Sequence, residues 1–348
     1  MKLYKLIIFI LIIFLKTGNV LSTEYIFNVN NIELAKNPGI SNEQLAQQAI
    51  KLAFKELKKK ILLTKDIKEL SGLKAREVRE LVLYYQIITP KINDQTSNKI
   101  KFNIFFDKEK LHDLFYKRNI LYSEISDKEL YLLPVFKKNE KILIYNQNFF
   151  YNQWNKVYQN ELIEFILPLE NIESIQKINF YKDNLLELNL SDLFQEYADK
   201  NLALILIEDT GSNKEKIFIK SKILNKNIDK SLIVEKMNLN EESFYKKIIN
   251  QVSEEIVLIV KSQNLIDVKI PSFLNTKFIL NNKNNLAELN ERLKKIGLID
   301  NVYIQEFNKK FVLIKIKYHG KLNKIIKQLE KQQIILEQIS DKWSLKII

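Results

Sequence analysis

Three largely apolar runs dominate the middle of the chain: "ELYLLPVF" (Glu129–Phe136), "LIEFILPL" (Leu162–Leu169) and "LALILI" (Leu202–Ile207). Runs of strand formers without polar alternation are the pattern of strands buried on both faces, in a sheet covered by helices. The segments between them are helical in character. Asn148 can cap a helix through "FFYNQWNKVYQN", and "SDLFQEYADKN" precedes the third run. A strand, a crossover helix and a second strand make a parallel pair. Proline has no N–H and forces the residue before it into an extended conformation. Pro134 and Pro168 are therefore expected to end two neighbouring strands at one rim. "KIFIKSKIL" and "KSLIVEKM" read as antiparallel closing strands. A long helix from Asn240, with Phe244, Ile248, Val252, Ile256 and Ile259 on one stripe, ends this central α/β domain, assigned to residues 123–270.

The flanking blocks have different periodicities. In residues 23–122, Ser41 and Gln44 have the spacing of a capping box, and Ala46, Ala49, Ala53, Leu57 and Ile61 recur at helical intervals. The strand "NKIKFNIFF" alternates polar and apolar residues. Asp107 then caps a helix with Leu111, Leu114 and Phe115 on one side, which completes an α+β unit. Residues 271–348 read β-α-β-β-α-β, a ferredoxin-like split βαβ with one extra strand. Its helices carry Leu286, Leu289, Leu293 and Ile296, then Leu322, Ile325, Ile326 and Leu329. The expected architecture is multidomain, combining α+β and α/β units.

The N-terminus supplies an address. "MKLYK" is positively charged, "LIIFILIIFL" (Leu6–Leu15) is apolar, and Val20 and Ser22 are small enough to precede a signal-peptidase cut. Ten helical residues rise only about 15 Å, half of a hydrocarbon core of about 30 Å, which favours a cleaved leader over residues 1–22. The chain has no cysteine. That excludes disulfides, a thiol nucleophile, thiolate metal sites and a lipidated N-terminal Cys. The expected location is the periplasm. Lys and Arg outnumber Asp and Glu 55 to 42, but only four of the basic residues are arginine. Guanine readout and bidentate phosphate contacts favour Arg, and no basic run is interleaved with aromatics, so no nucleic-acid partner is expected. The positive balance permits contact with an anionic lipid surface.

Four passages resemble a bacterial exported family described as domain of unknown function 2066. They are "FDKEKLHDLFYKRNILYSE" (Phe106–Glu124), "LIYNQNFFYNQW" (Leu143–Trp154), "ILPLENIESI" (Ile166–Ile175), and "KYHGKLNKIIKQLEKQQIILE" (Lys317–Glu337) followed by Trp343. In the second, Asn148 and Trp154 match, Phe150 stands where the family has a Trp, and Phe149 replaces a Pro. In the third, Glu170 and Asn171 replace a Gly-Asp pair. The resemblance implies a signal peptide and an envelope location, and it brings no established activity.

Candidate chemistry is sparse. His112 lies on a helix beside Asp113 and is expected to be solvated; His319, before Gly320, reads as a turn residue. Glu208 and Asp209 follow the buried run "LALILI", at the edge where ligands commonly bind open α/β sheets. Together they could hold a divalent cation through oxygen ligands, or could be a polar loop. Asn148, Phe150 and Trp154 are the centre of an aromatic cluster, readable as helix core or as a surface for a partner. There is no Walker A loop, G-x-G-x-x-G, G-x-S-x-G or H-E-x-x-H, and no cofactor is expected. The resulting expectation is a non-enzymatic envelope protein that binds a protein partner or the envelope itself. The alternative is a periplasmic enzyme or cation-dependent ligand binder using carboxylates at the strand rim. N-terminal sequencing of exported material is expected to begin near Thr23; recovery of Met1 or Lys2 from a membrane-bound product would contradict the leader assignment.

Overall fold

The computed structural model describes residues 26–36, 39–88, 99–125, 127–138, 141–209, 211–281, 286–339 and 342–348. Residues 1–22, expected to be a leader, and Thr23 lie outside the described residues. The fold is mixed α/β, with ten α-helices and four sheets among the described residues, two of them mixed parallel and antiparallel. No described helix is long and apolar enough to cross a membrane.

The first segment contains β1 (Asn28–Ala35), α1 (Asn42–Ile61), α2 (Thr64–Glu69), α3 (Ala75–Glu80), β2 (Val82–Ile88), β3 (Lys99–Phe106) and α4 (Lys108–Arg118). Its antiparallel sheet has the order β1-β3-β2. The capping box forms: Ser41 N donates to Gln44 Oε1 at 3.0 Å, and Gln44 N donates to Ser41 Oγ at 3.2 Å. The alanine stripe of α1 is buried, as its small side chains allow. Asp107 caps α4 by accepting from the backbone N–H groups of Glu109 and Lys110.

The central segment contains β4 (Tyr122–Ser123), β5 (Glu129–Lys138), β6 (Lys141–Leu143), a 3-10 turn at Tyr145–Gln147, α5 (Phe149–Val157), β7 (Glu164–Ile166) and α6 (Ile172–Phe180). It continues through α7 (Leu190–Leu193), β8 (Asn201–Asp209), β9 (Lys214–Ile223), β10 (Lys226–Glu235), α8 (Glu241–Gln263) and β11 (Leu265–Ile266). The strand order is β10-β9-β8-β5-β6, with β7 also on β5. β5 runs parallel to both β7 and β8, as the apolar runs predict. Alternate residues of β8 serve two cores. Ala203, Ile205 and Ile207 pack with α5 and α8, whereas Leu202, Leu204 and Leu206 pack with α6 and α7.

The last segment contains β12 (Pro271–Ile279), α9 (Leu286–Lys294), β13 (Ile299–Phe307), β14 (Phe311–His319), α10 (Leu322–Lys331), β15 (Ile334–Ile339) and β16 (Lys342–Ile347). Leu289, Leu293, Ile325 and Leu329 are buried together with Val312, Ile314 and Ile316. The order is β13-β14-β12-β16-β15. The slot beside β12 is filled by β16, parallel to it, and the strand that leaves α10 lies at the edge. Burial explains the choice: β16 buries Leu345 and Ile347, while β15 buries only Ile334 and runs exposed from Glu337.

By contacts the chain forms two units. One comprises Lys59–Lys68 with Leu121–Ile266; the other comprises the residues up to Lys58, Glu69–Ile120 and Asp267–Ile348. The outer segments thus belong to one unit. In the central unit, Lys261 is 5% exposed and donates to Lys59 O and Leu62 O, at the last carbonyls of α1. Burial pulls its ammonium pKa down to about 8.

Pro134 does not end a strand. β5 continues four residues past it to Lys138, and β7 stops before Pro168. The reason is a gap in pairing. β7 covers only Glu129–Tyr131 and β6 only Phe136–Lys138, so no described strand pairs with residues 132–135 on that edge. In an extended strand a residue's N–H and C=O face the same edge. A proline at this position therefore forfeits no ladder bond. The Asn148 amide fills the gap, donating to Pro134 O at 2.9 Å and Leu143 O at 3.2 Å and accepting from Phe150 N at 2.9 Å. Asn148→Asp removes both donors and leaves two carbonyl oxygens facing a carboxylate. The substitution is expected to destabilise by about 2–4 kcal/mol at neutral pH, read from urea unfolding, with partial recovery in acid as the carboxyl protonates.

Candidate functional site

Asn148, Phe150 and Trp154 have no exposed surface. Phe150 stacks edge-on against Phe136, and Trp154 against Phe165. The aromatic cluster of α5 is core, and offers nothing to a partner. Its physical cause is that α5 packs on β5 and against α8, which itself packs on β9 and β10, so all share one core.

Glu208 and Asp209 do not converge either. Both are still within β8, and successive strand residues point to opposite faces. A cation held jointly by the two is therefore corrected to a cluster around Asp209 alone. Lys138 Nζ lies 3.2 Å from Asp209 Oδ2 and 2.5 Å from Glu241 Oε1. Tyr245 OH donates to Glu241 Oε1 at 2.6 Å. Burial by itself would raise the Asp209 carboxyl, but the Gly211 N–H and the Lys138 ammonium outweigh it and hold the pKa below the usual value. The Glu241 carboxylate raises the Lys138 pKa. Burial, then Glu241, raises that of Tyr245. Lys138 thus occupies the centre where a cation would sit.

A cavity of about 350 Å³ opens elsewhere on the central unit, beside the start of α6. Asn171 caps that helix, accepting from Glu173 N at 2.8 Å. Tyr145, Glu170, Glu173, Ser174, Lys177 and Glu196 supply its polar wall. Tyr145 has φ 49°, a left-handed conformation that is strained for a bulky side chain. Its hydroxyl is hydrogen-bonded with the Ser174 side chain and the Asn171 backbone, and burial raises its pKa. Lys177 Nζ donates to Asp192 O at 2.6 Å. The Gln195 amide fits between Glu173 and Lys177, donating to the former at 3.2 Å and accepting from the latter at 2.9 Å. Leu169, also in the wall, is 83% exposed, and Ile172 in the adjoining turn is 73% exposed. The sequence signal for this site is the pair of acids around a helix start, directly after the buried run that ends at Pro168.

The outer unit holds a second cluster. His112 on α4 is buried, not solvated, and its ring meets that of His319 edge-on at 5.3 Å between centroids. His319 is the last residue of β14, not a turn residue, and is 3% exposed. Asp300 completes the group, with Lys317 Nζ 2.6 Å from its Oδ2. Phe27 packs edge-on against His112 from the other side, so α4 is buried over a wider stripe than its leucines alone mark. Burial, then the positive charge of Lys108, pushes His112 down to about 3; burial also lowers His319. Both imidazoles are neutral at pH 7.

Comparisons with protein-family models, with curated proteins and with solved structures return no match to this chain.

Asp209→Asn is expected to lower stability by about 0.5–1 kcal/mol at pH 7, the range of a partly exposed ion pair, while Glu208→Gln stays within about 0.5 kcal/mol. The Asp209 contribution is present above the ordinary Asp value of 3.8 and is lost as pH falls through the lower folded-state value. Urea denaturation of both variants should therefore diverge at pH 7 and converge with the parent at strongly acid pH.

Proposed function

We infer that this is an exported, non-enzymatic binding protein of the cell envelope, and that its central unit takes a basic side chain of a partner protein into the cavity beside α6. The observation that carries the reading is the charge of that cavity. Glu170, Glu173 and Glu196 face one lysine, Lys177, which is already engaged by Asp192 O and Gln195. The chain as a whole carries a net charge of +13. A basic segment is repelled by most of such a surface and attracted to this acidic recess, which steers encounter and fixes orientation. The exposed Leu169 in its wall, and the exposed Ile172 that opens α6, supply apolar contact to the residues flanking the basic group. A volume of about 350 Å³ is at the small end of ligand pockets, of order 300–1,000 Å³, and suits one side chain better than a cofactor.

The carboxylates that bind are thus Glu170 and Glu173, in place of Glu208 and Asp209. Export and a periplasmic location rest on the leader-like N-terminus and the lack of cysteine. The family resemblance belongs to the same reading. Its matching residues Asn148 and Trp154 have one structural job, capping α5 and filling the core beneath it. The C-terminal segment is read as a ferredoxin-like variant with an inserted parallel strand.

The test is calorimetric titration with two short peptides, one alternating lysine with leucine and one alternating glutamate with leucine. The lysine peptide is expected to bind and the glutamate peptide is not. Glu170→Gln combined with Glu173→Gln should weaken the lysine peptide about fivefold, the effect of two ion pairs of roughly 0.5 kcal/mol each. Equal binding of the two peptides, no binding of either, or an unchanged affinity in the double variant would overturn the assignment.

A further inference from the structure

The chain has two histidines, and the fold brings them from opposite ends of the sequence into ring contact. We propose that His112, Asp300 and His319 form a site for one borderline divalent cation of the zinc kind. One ligand atom from each residue lies within 4.8 Å of the other two. Zinc bonds of about 2.0–2.1 Å in tetrahedral array place ligand atoms about 3.3 Å apart. The closure needed is somewhat more than 1 Å, within the range of side-chain rotation.

The backbone supports the assignment independently. Asp300 falls between the paired residues Ile299 and Asn301 of β13, where the register against β14 shifts. It is the extra residue of a β-bulge, a device that re-aims a side chain and recurs beside functional sites. Here it directs a carboxylate toward His319, whose Nε2 is 3.9 Å from Asp300 Oδ2. His319 Nδ1 is buried and has no hydrogen-bond partner among the described residues, a state that costs about 1–3 kcal/mol. A metal bond, or a hydrogen bond made on closure, would satisfy it. Two imidazole nitrogens and one oxygen select a borderline cation over calcium or magnesium, which take all-oxygen shells.

The neighbouring charges set the affinity. Lys317 Nζ lies 2.6 Å from Asp300 Oδ2, the same oxygen that faces His319, so a cation has to compete with this ion pair for the carboxylate. Lys317 and Lys108, whose Nζ donates to Ile299 O, both oppose a positive ion. Binding is therefore weaker than at a closed four-ligand site, and Lys317→Met should tighten it. The three ligands come from α4, β13 and β14, so an ion here staples the first segment of the outer unit to the last. Binding to the folded state alone raises stability by mass action.

The experiment uses the full chain without a histidine tag, titrated with Co2+ and followed by its visible d–d absorption. With no other histidine and no cysteine in the chain, an imidazole-ligated Co2+ spectrum can arise only here. The expected result is saturation at one equivalent, bleaching by Zn2+, and a higher thermal midpoint with Zn2+. Asp300→Asn and His319→Gln each alter a ligand and should weaken Co2+ by on the order of a hundredfold or more, since changing only the hydrogen-bond partner of a ligand can already cost about that. Asp300 is only part-buried, so its variant keeps the test decisive if the histidine variant fails to fold. Absence of a saturable spectrum, or one unchanged in Asp300→Asn, would overturn the proposal.

Discussion

The central unit depends on one side-chain amide. Asn148 stands where β6 and β7 leave the edge of β5 uncovered, and its two N–H groups answer the carbonyls of Pro134 and Leu143. A backbone carbonyl buried without a partner would cost more than most single contacts supply. By closing this gap the amide lets a proline sit inside a central strand. It also fixes where α5 begins, because the same residue is the N-cap. The position of α5 in turn sets Phe150 and Trp154 in the core. The short β7 can then lead directly into the loop that forms the cavity. A fully paired β5 would have no such opening on its edge.

The fold was legible where one physical signal sufficed. Apolar runs without alternation marked β5, β7 and β8, and the 3.6-residue stripes of α1, α8, α9 and α10 identified their buried faces. Caps at Ser41, Asp107 and Asn148, and the helix start at Asn240, were each readable from local chemistry. Proline misled because its meaning depends on which strand lies alongside. Its lack of an N–H is a penalty on a paired edge and neutral on an open one. That information belongs to the partner strands and is absent from "LLPVF". The placement of β16 beside β12 is of the same kind, since competing strands are sorted by burial after the sheet assembles.

The candidate sites were less legible. Glu208 and Asp209 look like a pair in a string of letters, but a strand separates neighbours to opposite faces. The histidines look unrelated because their meeting depends on the outer unit closing through both ends of the chain. Glu170 and Glu173 were visible as acids at a helix start, a placement that the helix dipole favours without any ligand. Only the cavity beside them, walled by the strained Tyr145, gives them a second meaning.

The discontinuity of the two units has a consequence in time. The outer unit needs Asp267–Ile348 to meet Glu69–Ile120 and the described residues up to Lys58, so its first segment emerges from the ribosome long before its complement. The central unit is nearly continuous and can complete itself while the tail is still being synthesised. The leading segment must wait with its apolar stripe of Leu45, Ala49, Ala53 and Leu57 only partly sheltered. Pairings between distant parts of a chain close slowly. That waiting period is when this molecule is most open to capture by a chaperone, a protease or another copy of itself.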